Sequence, residues 1–259
     1  MREIRRGVTV IVSLSVIFVA FLTAIIDIIF GMGFGLTLTP ILLFLGYTPK
    51  AIVPAILLSS LGGGVFSALF NHRFKNADFT PGSQHFKIVL VVGGVGIAGG
   101  IVGARVNAGI SDLTLTLYIG TLILMTGVFL LLNRTLHVKF SWTKLGLLSL
   151  FASFNKGISG SGFGPIVTTG LLYMNTGEKA AVSIQSFSEL FVSLFGFATF
   201  FASGAKLNWD LTWSLLIGVT VSTPLAAFIV KRVQGATLRK AIAVVTAVLG
   251  AATLLQVFL

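Results

Sequence analysis

Apolar runs long enough to cross a bilayer, separated by short polar gaps, constrain this chain more tightly than any motif in it. A membrane-crossing helix needs about 20 predominantly apolar residues. Runs at 8–30, 51–70, 88–104, 113–132, 180–203, 213–230 and 241–259 supply them, each bounded by charged or turn-forming residues. Only 10% of the 259 residues are charged, against about 25% in soluble domains, so the chain cannot clothe a water-facing surface. Lipid offers the backbone no partners, and helices satisfy their own hydrogen bonds. The expected fold is therefore all-α and integral to the membrane, with 8–10 membrane segments, a multi-pass protein of the plasma membrane in contact with membrane lipid.

The net charge is +11, from 18 Lys and Arg against 7 Asp and Glu. Arg73, Lys75, Arg134, Lys139, Lys231, Arg232, Arg239 and Lys240 lie in the gaps between runs, which is the pattern that fixes membrane orientation. No basic stripe is interleaved with stacking aromatics, so nucleic acid is not an expected partner. The basic start Arg2, Arg5, Arg6 leads into an apolar run without a small-residue cleavage site, as a retained helix would. The chain has no cysteine, and His72, His85 and His137 have no second ligand at useful spacing, so neither a metal nor a cofactor is expected.

Three apolar stretches, 34–45, 145–155 and 164–174, are too short to span alone. They flank two glycine-rich breaks, Gly31-Met32-Gly33-Phe34-Gly35 and Gly157-Ile158-Ser159-Gly160-Ser161-Gly162-Phe163-Gly164. Each glycine weakens a helix by about 1 kcal/mol, and the freed backbone is tolerated in a membrane only inside protein or beside a wet cavity. A shift of 129 positions superposes the breaks, with 13 identities over the 36 positions 31–66. The chain thus reads as two homologous membrane repeats, 1–135 and 136–259, expected to be inverted because five crossings in each half place the halves in opposite orientation. Even parity would make them parallel. Matched broken segments in two halves point to the substrate site of a secondary transporter.

Asp27, Lys156 and Glu189 are the ionisable residues well inside apolar segments. A charge at the bilayer centre costs at least about 2.5–3.5 kcal/mol, so each needs a partner or a wet cavity. The shift places Asp27 opposite Lys156, each four residues before the first glycine of its motif. Lys156 is the candidate for holding an anionic substrate. Asp27 would pair with it in the empty site or bind a coupling cation; alternatively the two form a permanent pair that packs the halves together. Glu189, opposite Ser60 under the same shift, is the candidate for proton coupling, because a dry bundle disfavours its charged form; otherwise it is a protonated group joining helices. Gly31, Gly33, Gly35, Thr39, Asn155, Ser159, Gly160, Ser161, Gly162, Gly164 and Gln185 complete the candidate substrate site, with Thr37, Thr168, Thr169 and Ser188 nearby. Helix N-termini at the breaks would present N–H groups to anionic oxygens. Ser59 and Ser60, beside Gly62-Gly63-Gly64, read as a close-packing surface.

The break, a short apolar helix ending near Gly46, and Thr48-Pro49-Lys50-Ala51 opening the next helix resemble the sulfite exporter TauE/SafE family. The second copy, from Gly160-Ser161-Gly162-Phe163-Gly164-Pro165 to Gly177-Glu178-Lys179-Ala180, looks like that family's second motif. The resemblance implies a multi-spanning permease, not an enzyme, that exports a small sulfur-containing anion such as sulfite or an organosulfonate, with the glycines at 31, 33, 35, 160, 162 and 164 as motif positions. Phe34 and Phe163 depart from the pattern, standing where the family often has another glycine. The competing classes are an integral-membrane enzyme acting on a lipid phosphate and an anion channel. No ATP-binding motif is present, so a proton or sodium gradient is the expected drive.

Overall fold

The computed structural model describes residues 2–31, 33–132, 138–230 and 236–257, and all their regular elements are helical. In chain order these are α1 (Arg2–Phe30), α2 (Phe34–Phe44), α3 (Pro49–Arg73), α4 (Gln84–Gly109), α5 (Asp112–Leu132), α6 (Trp142–Ser159), α7 (Phe163–Tyr173), α8 (Glu178–Ala202), α9 (Trp209–Val230) and α10 (Ala236–Gln256). Among them α3, α4, α5, α8 and α9 are long and apolar enough to cross a membrane. Met32, Arg134, His137, Lys231 and Arg232 lie outside the described residues, as do the side chains of Arg239 and Lys240.

Local chemistry sets the helix ends. Pro49 opens α3, where a missing N–H costs nothing, and the hydroxyls of Ser83 and Ser141 accept from the N–H groups of Phe86 and Lys144 to start α4 and α6. Both 11-residue helices end in the same way. Gly46 and Tyr47 donate to the carbonyls of Leu43 and Leu42, and Asn175 and Thr176 donate to those of Leu172 and Leu171. These bonds recur 129 positions apart. Left-handed backbone does too: Gly31, Gly33, Gly46 and Lys75 match Gly160, Gly162, Asn175 and Gly204.

Close packing at small residues fixes the direction of each helix. A Cβ at Gly64 would meet Leu190 and one at Gly196 would meet Leu57, so α3 and α8 run antiparallel. Gly120 lies on Leu254 and Gly127 on Ala247, so α5 and α10 are antiparallel as well. Gly218 faces Ile17 and Phe21, while Ala226 and Val230 cluster with Ile28, making α1 parallel to α9. Gly62 and Gly63 face Leu216, Thr220 and Val219, and the Asn76 amide beyond the end of α3 donates to the Ala227 carbonyl, so α3 also runs with α9. α1 and α3 therefore point the same way, and α2 carries the chain back between them. At 1.5 Å per residue it covers about 16 Å, half a bilayer core. α6 likewise runs with α4: Gly96 meets Ser149 and Ser153, and Gly103 meets Phe154 and Ile158.

Large apolar side chains such as Phe18, Met125, Leu147, Phe201 and Val248 are exposed on the outside of the bundle. Most serines and threonines of α3, α8 and α9, by contrast, are buried within it. Hydrocarbon around the protein accounts for both.

Candidate functional site

The two glycine breaks lie against each other. A Cβ added to Gly35 would strike the Gly160 carbonyl and the Ser161 hydroxyl, and one added to Gly164 would strike the backbone of Gly33 and Gly31. The Thr39 hydroxyl is 3.2 Å from that of Ser161, and a Cβ at Gly31 would strike Thr168. The contact is thus reciprocal, because each break meets the other through corresponding positions. Only a backbone without Cβ atoms approaches so closely, and the left-handed turns at Gly33 and Gly162 that start α2 and α7 suit glycine for the same reason.

Lys156 is 1% exposed, one of the largest fully buried side chains in the protein. Its ammonium lies 2.5 Å from the Glu189 carboxylate and donates to the Ser60 hydroxyl at 3.1 Å. Ser60 and Glu189 occupy the same position in α3 and α8, so Lys156 bridges the crossing of those two helices. Glu189 is fixed on its other oxygen by the Gln185 amide at 2.7 Å. The expected Asp27–Lys156 pair is replaced by Lys156–Glu189. Asp27 instead accepts from the Gly33 N–H at 2.7 Å, so its carboxylate occupies the positive end of α2. Asp27, Ser60, Ser186 and Glu189 line one cavity with Phe34, Gly63 and Gly64. It has about 20 Å³ for the centre of a water-sized molecule, enough for one water and too little for an organic anion.

The other expected site residues divide between the two breaks and their supports. The Asn155 carbonyl oxygen accepts from the Tyr118 hydroxyl at 2.6 Å while its amide donates back to Phe151, which ties α6 to α5. Ser159 donates to the Asn155 carbonyl and accepts from the Ser161 N–H, shaping the second break from within. Gln185 is joined to the lysine only through Glu189. Sequence reasoning missed the role of Ser60; its signal was the match to Glu189 under the 129-residue shift.

Recesses open at both ends of α3. One, of about 410 Å³, is lined by Thr48, Lys50, Asn107, Asp112, Ser203 and Lys206. The other, of about 660 Å³, is lined by His72, Arg73, Lys75, Asn76, Asp78 and His85. There the Asp78 carboxylate is held below the usual range by the N–H and hydroxyl of Thr80, at 2.9 and 2.7 Å.

Half-length helices turning back inside a bundle of membrane spans, with an ion-paired lysine between recesses at both ends, belong to a multi-pass membrane transporter rather than to an enzyme. The chain is a member of the TauE/SafE family: the model of "Sulfite exporter TauE/SafE" matches residues 16–253. It is also similar to the "Probable membrane transporter protein YtnM" of Bacillus subtilis (strain 168), with 25% identity over 228 residues, covering 83% of this chain and 73% of that protein. No solved structure matches it.

Proposed function

We propose that the chain is a secondary carrier exporting a small sulfur-containing anion, sulfite or an organosulfonate, by alternating access around the paired glycine breaks. In this reading residues 1–135 and 136–259 are membrane repeats of opposite orientation. The antiparallel pairs α3/α8 and α5/α10 support the inversion, since each joins equivalent helices of the two halves. One bundle of helices, drawn from both halves, rocks against the other about the contact of Gly35 with Gly160 and Gly164 with Gly31, exposing Lys156 to each recess in turn. The family's description as sulfite exporters supports the substrate class and the direction.

One observation carries the reading: an ion-paired lysine, almost wholly buried, beside two helix breaks whose backbones touch at Gly35 with Gly160 and at Gly164 with Gly33. A buried ammonium is costly unless paired. It earns its place here as the group that receives an anion stripped of water. Removing Glu189 from it frees a strong anion receptor, and the small cavity beside it is the closed form of the substrate chamber.

Counterflow in proteoliposomes tests this. Vesicles preloaded with unlabelled sulfite or sulfoacetate should accumulate the labelled anion, and trans-acceleration should vanish in Lys156→Met. Flux that is indifferent to internal anion would identify a channel, and an absence of flux across a panel of sulfite, thiosulfate, sulfoacetate and short carboxylates would end the proposal.

A further inference from the structure

We infer that Glu189 is the resident counter-anion of the transport site: substrate reaches Lys156 only by displacing the Glu189 carboxylate, which takes up one proton as it leaves. The inference rests on the reading of Lys156 as the anion receptor. Its basis is a charge count. Among the described residues, the buried charged side chains are Asp27, Lys156 and Glu189, which sum to −1. Of the helices packed on α8, α6 and α1 carry Lys156 and Asp27, which are already in that sum, and the others add no buried charge: α3 brings Ser60, α4 Asn107 and α7 Thr168 and Thr169 as buried polar groups.

Two anion-receptive places are already filled from within. Asp27 holds the first N–H at the start of α2, and Glu189 holds Lys156. Addition of a monoanion to Lys156 would bring the buried sum to −2 around a cavity of about 20 Å³. Two carboxylates and a third anion against one ammonium, buried this deeply, cannot all remain charged. Of the two carboxylates, Asp27 keeps its amide partner and the helix end. Glu189 keeps only the Gln185 side chain, whose carbonyl oxygen can accept the O–H of a protonated acid once the amide rotates. The proton comes from hydronium at the open recess, leaving water and a neutral carboxyl; no other bond is made or broken. The loaded site then carries Lys156 and Asp27 charged, Glu189 neutral and one anion, which is again −1. A monoanion and a proton cross together, without net charge.

The test uses the purified full-length protein with methanesulfonate, which does not titrate near neutral pH. Calorimetry in buffers of different ionisation enthalpy counts protons bound per anion. About one proton per methanesulfonate is expected, with affinity weakening about tenfold per pH unit wherever that uptake is complete. Glu189→Gln should bind at least as tightly, with no proton uptake and a flat pH profile, and Asp27→Asn should still take up its proton. Binding by the unmodified protein without proton uptake, or uptake lost in Asp27→Asn and kept in Glu189→Gln, would overturn the inference while leaving Lys156 as the receptor. Binding of methanesulfonate, sulfoacetate and sulfite by neither protein would remove the receptor reading itself, and this inference with it.

Discussion

The two glycine breaks share a glycine pattern and differ in charge. Gly31, Gly33 and Gly35 repeat as Gly160, Gly162 and Gly164, with positive φ at the first two of each and an 11-residue helix starting behind them. Four residues before the first glycine, however, one break carries Asp27 and the other Lys156. The acid folds forward onto its own break and stabilises the start of α2. The base turns away and bridges Ser60 and Glu189. In the proposed carrier the matched breaks would serve as the pivot, and the one charged position at which they differ would give it a polarity.

Charge at the second break should be the more critical of the two. Lys156→Met leaves Glu189 buried without its counter-ion, a change worth about 3–5 kcal/mol, and transport in proteoliposomes should fall by more than about 100-fold. The double variant Lys156→Met/Glu189→Gln removes both charges, so it should recover thermal stability without recovering transport. Asp27→Asn retains a neutral acceptor for the Gly33 N–H, and a loss of about 1–2 kcal/mol should slow flux by about 5- to 30-fold. If Asp27→Asn proved the more damaging, the assignment of roles to the two breaks would be reversed.

The shared backbone predicts symmetry instead. Gly35→Ala and Gly164→Ala each press a methyl group on the opposite break and should destabilise by similar amounts, about 1–3 kcal/mol each, in thermal melts. Gly94→Ala, where a Cβ meets nothing within 4 Å, should be silent. Unequal losses at 35 and 164 would show that the reciprocal contact is not maintained in the membrane. The smallest effect belongs to the recess at the end of α3. The Asp78 carboxylate lies below the usual range because Thr80 donates to its charged form, so this support is present at neutral pH and is lost as pH falls through the carboxylate's own range. Asp78→Ala should speed hydrogen exchange in the α3–α4 loop while leaving transport within about twofold.

The helices were legible because hydropathy and glycine density report directly on what lipid tolerates. The short pieces flanking the breaks appear as α2, α6 and α7. The Lys156–Glu189 pair was not legible. Asp27 and Lys156 share a position in their repeats, which suggested that they meet. Equivalent residues meet only where the halves cross, and α3 and α8 cross at Ser60 and Glu189. Sequence spacing records position along a helix and is silent about which helices intersect.

The recesses at the ends of α3 are alike in sign. Lys50 and Lys206 outweigh Asp112 at one, and Arg73 and Lys75 outweigh Asp78 at the other. Both mouths therefore concentrate anions, and neither acts as a one-way valve. In the proposed carrier the entrances therefore impose no rectification: the reservoirs it connects would decide which way solute flows, and reversing those reservoirs in a vesicle should reverse the flow.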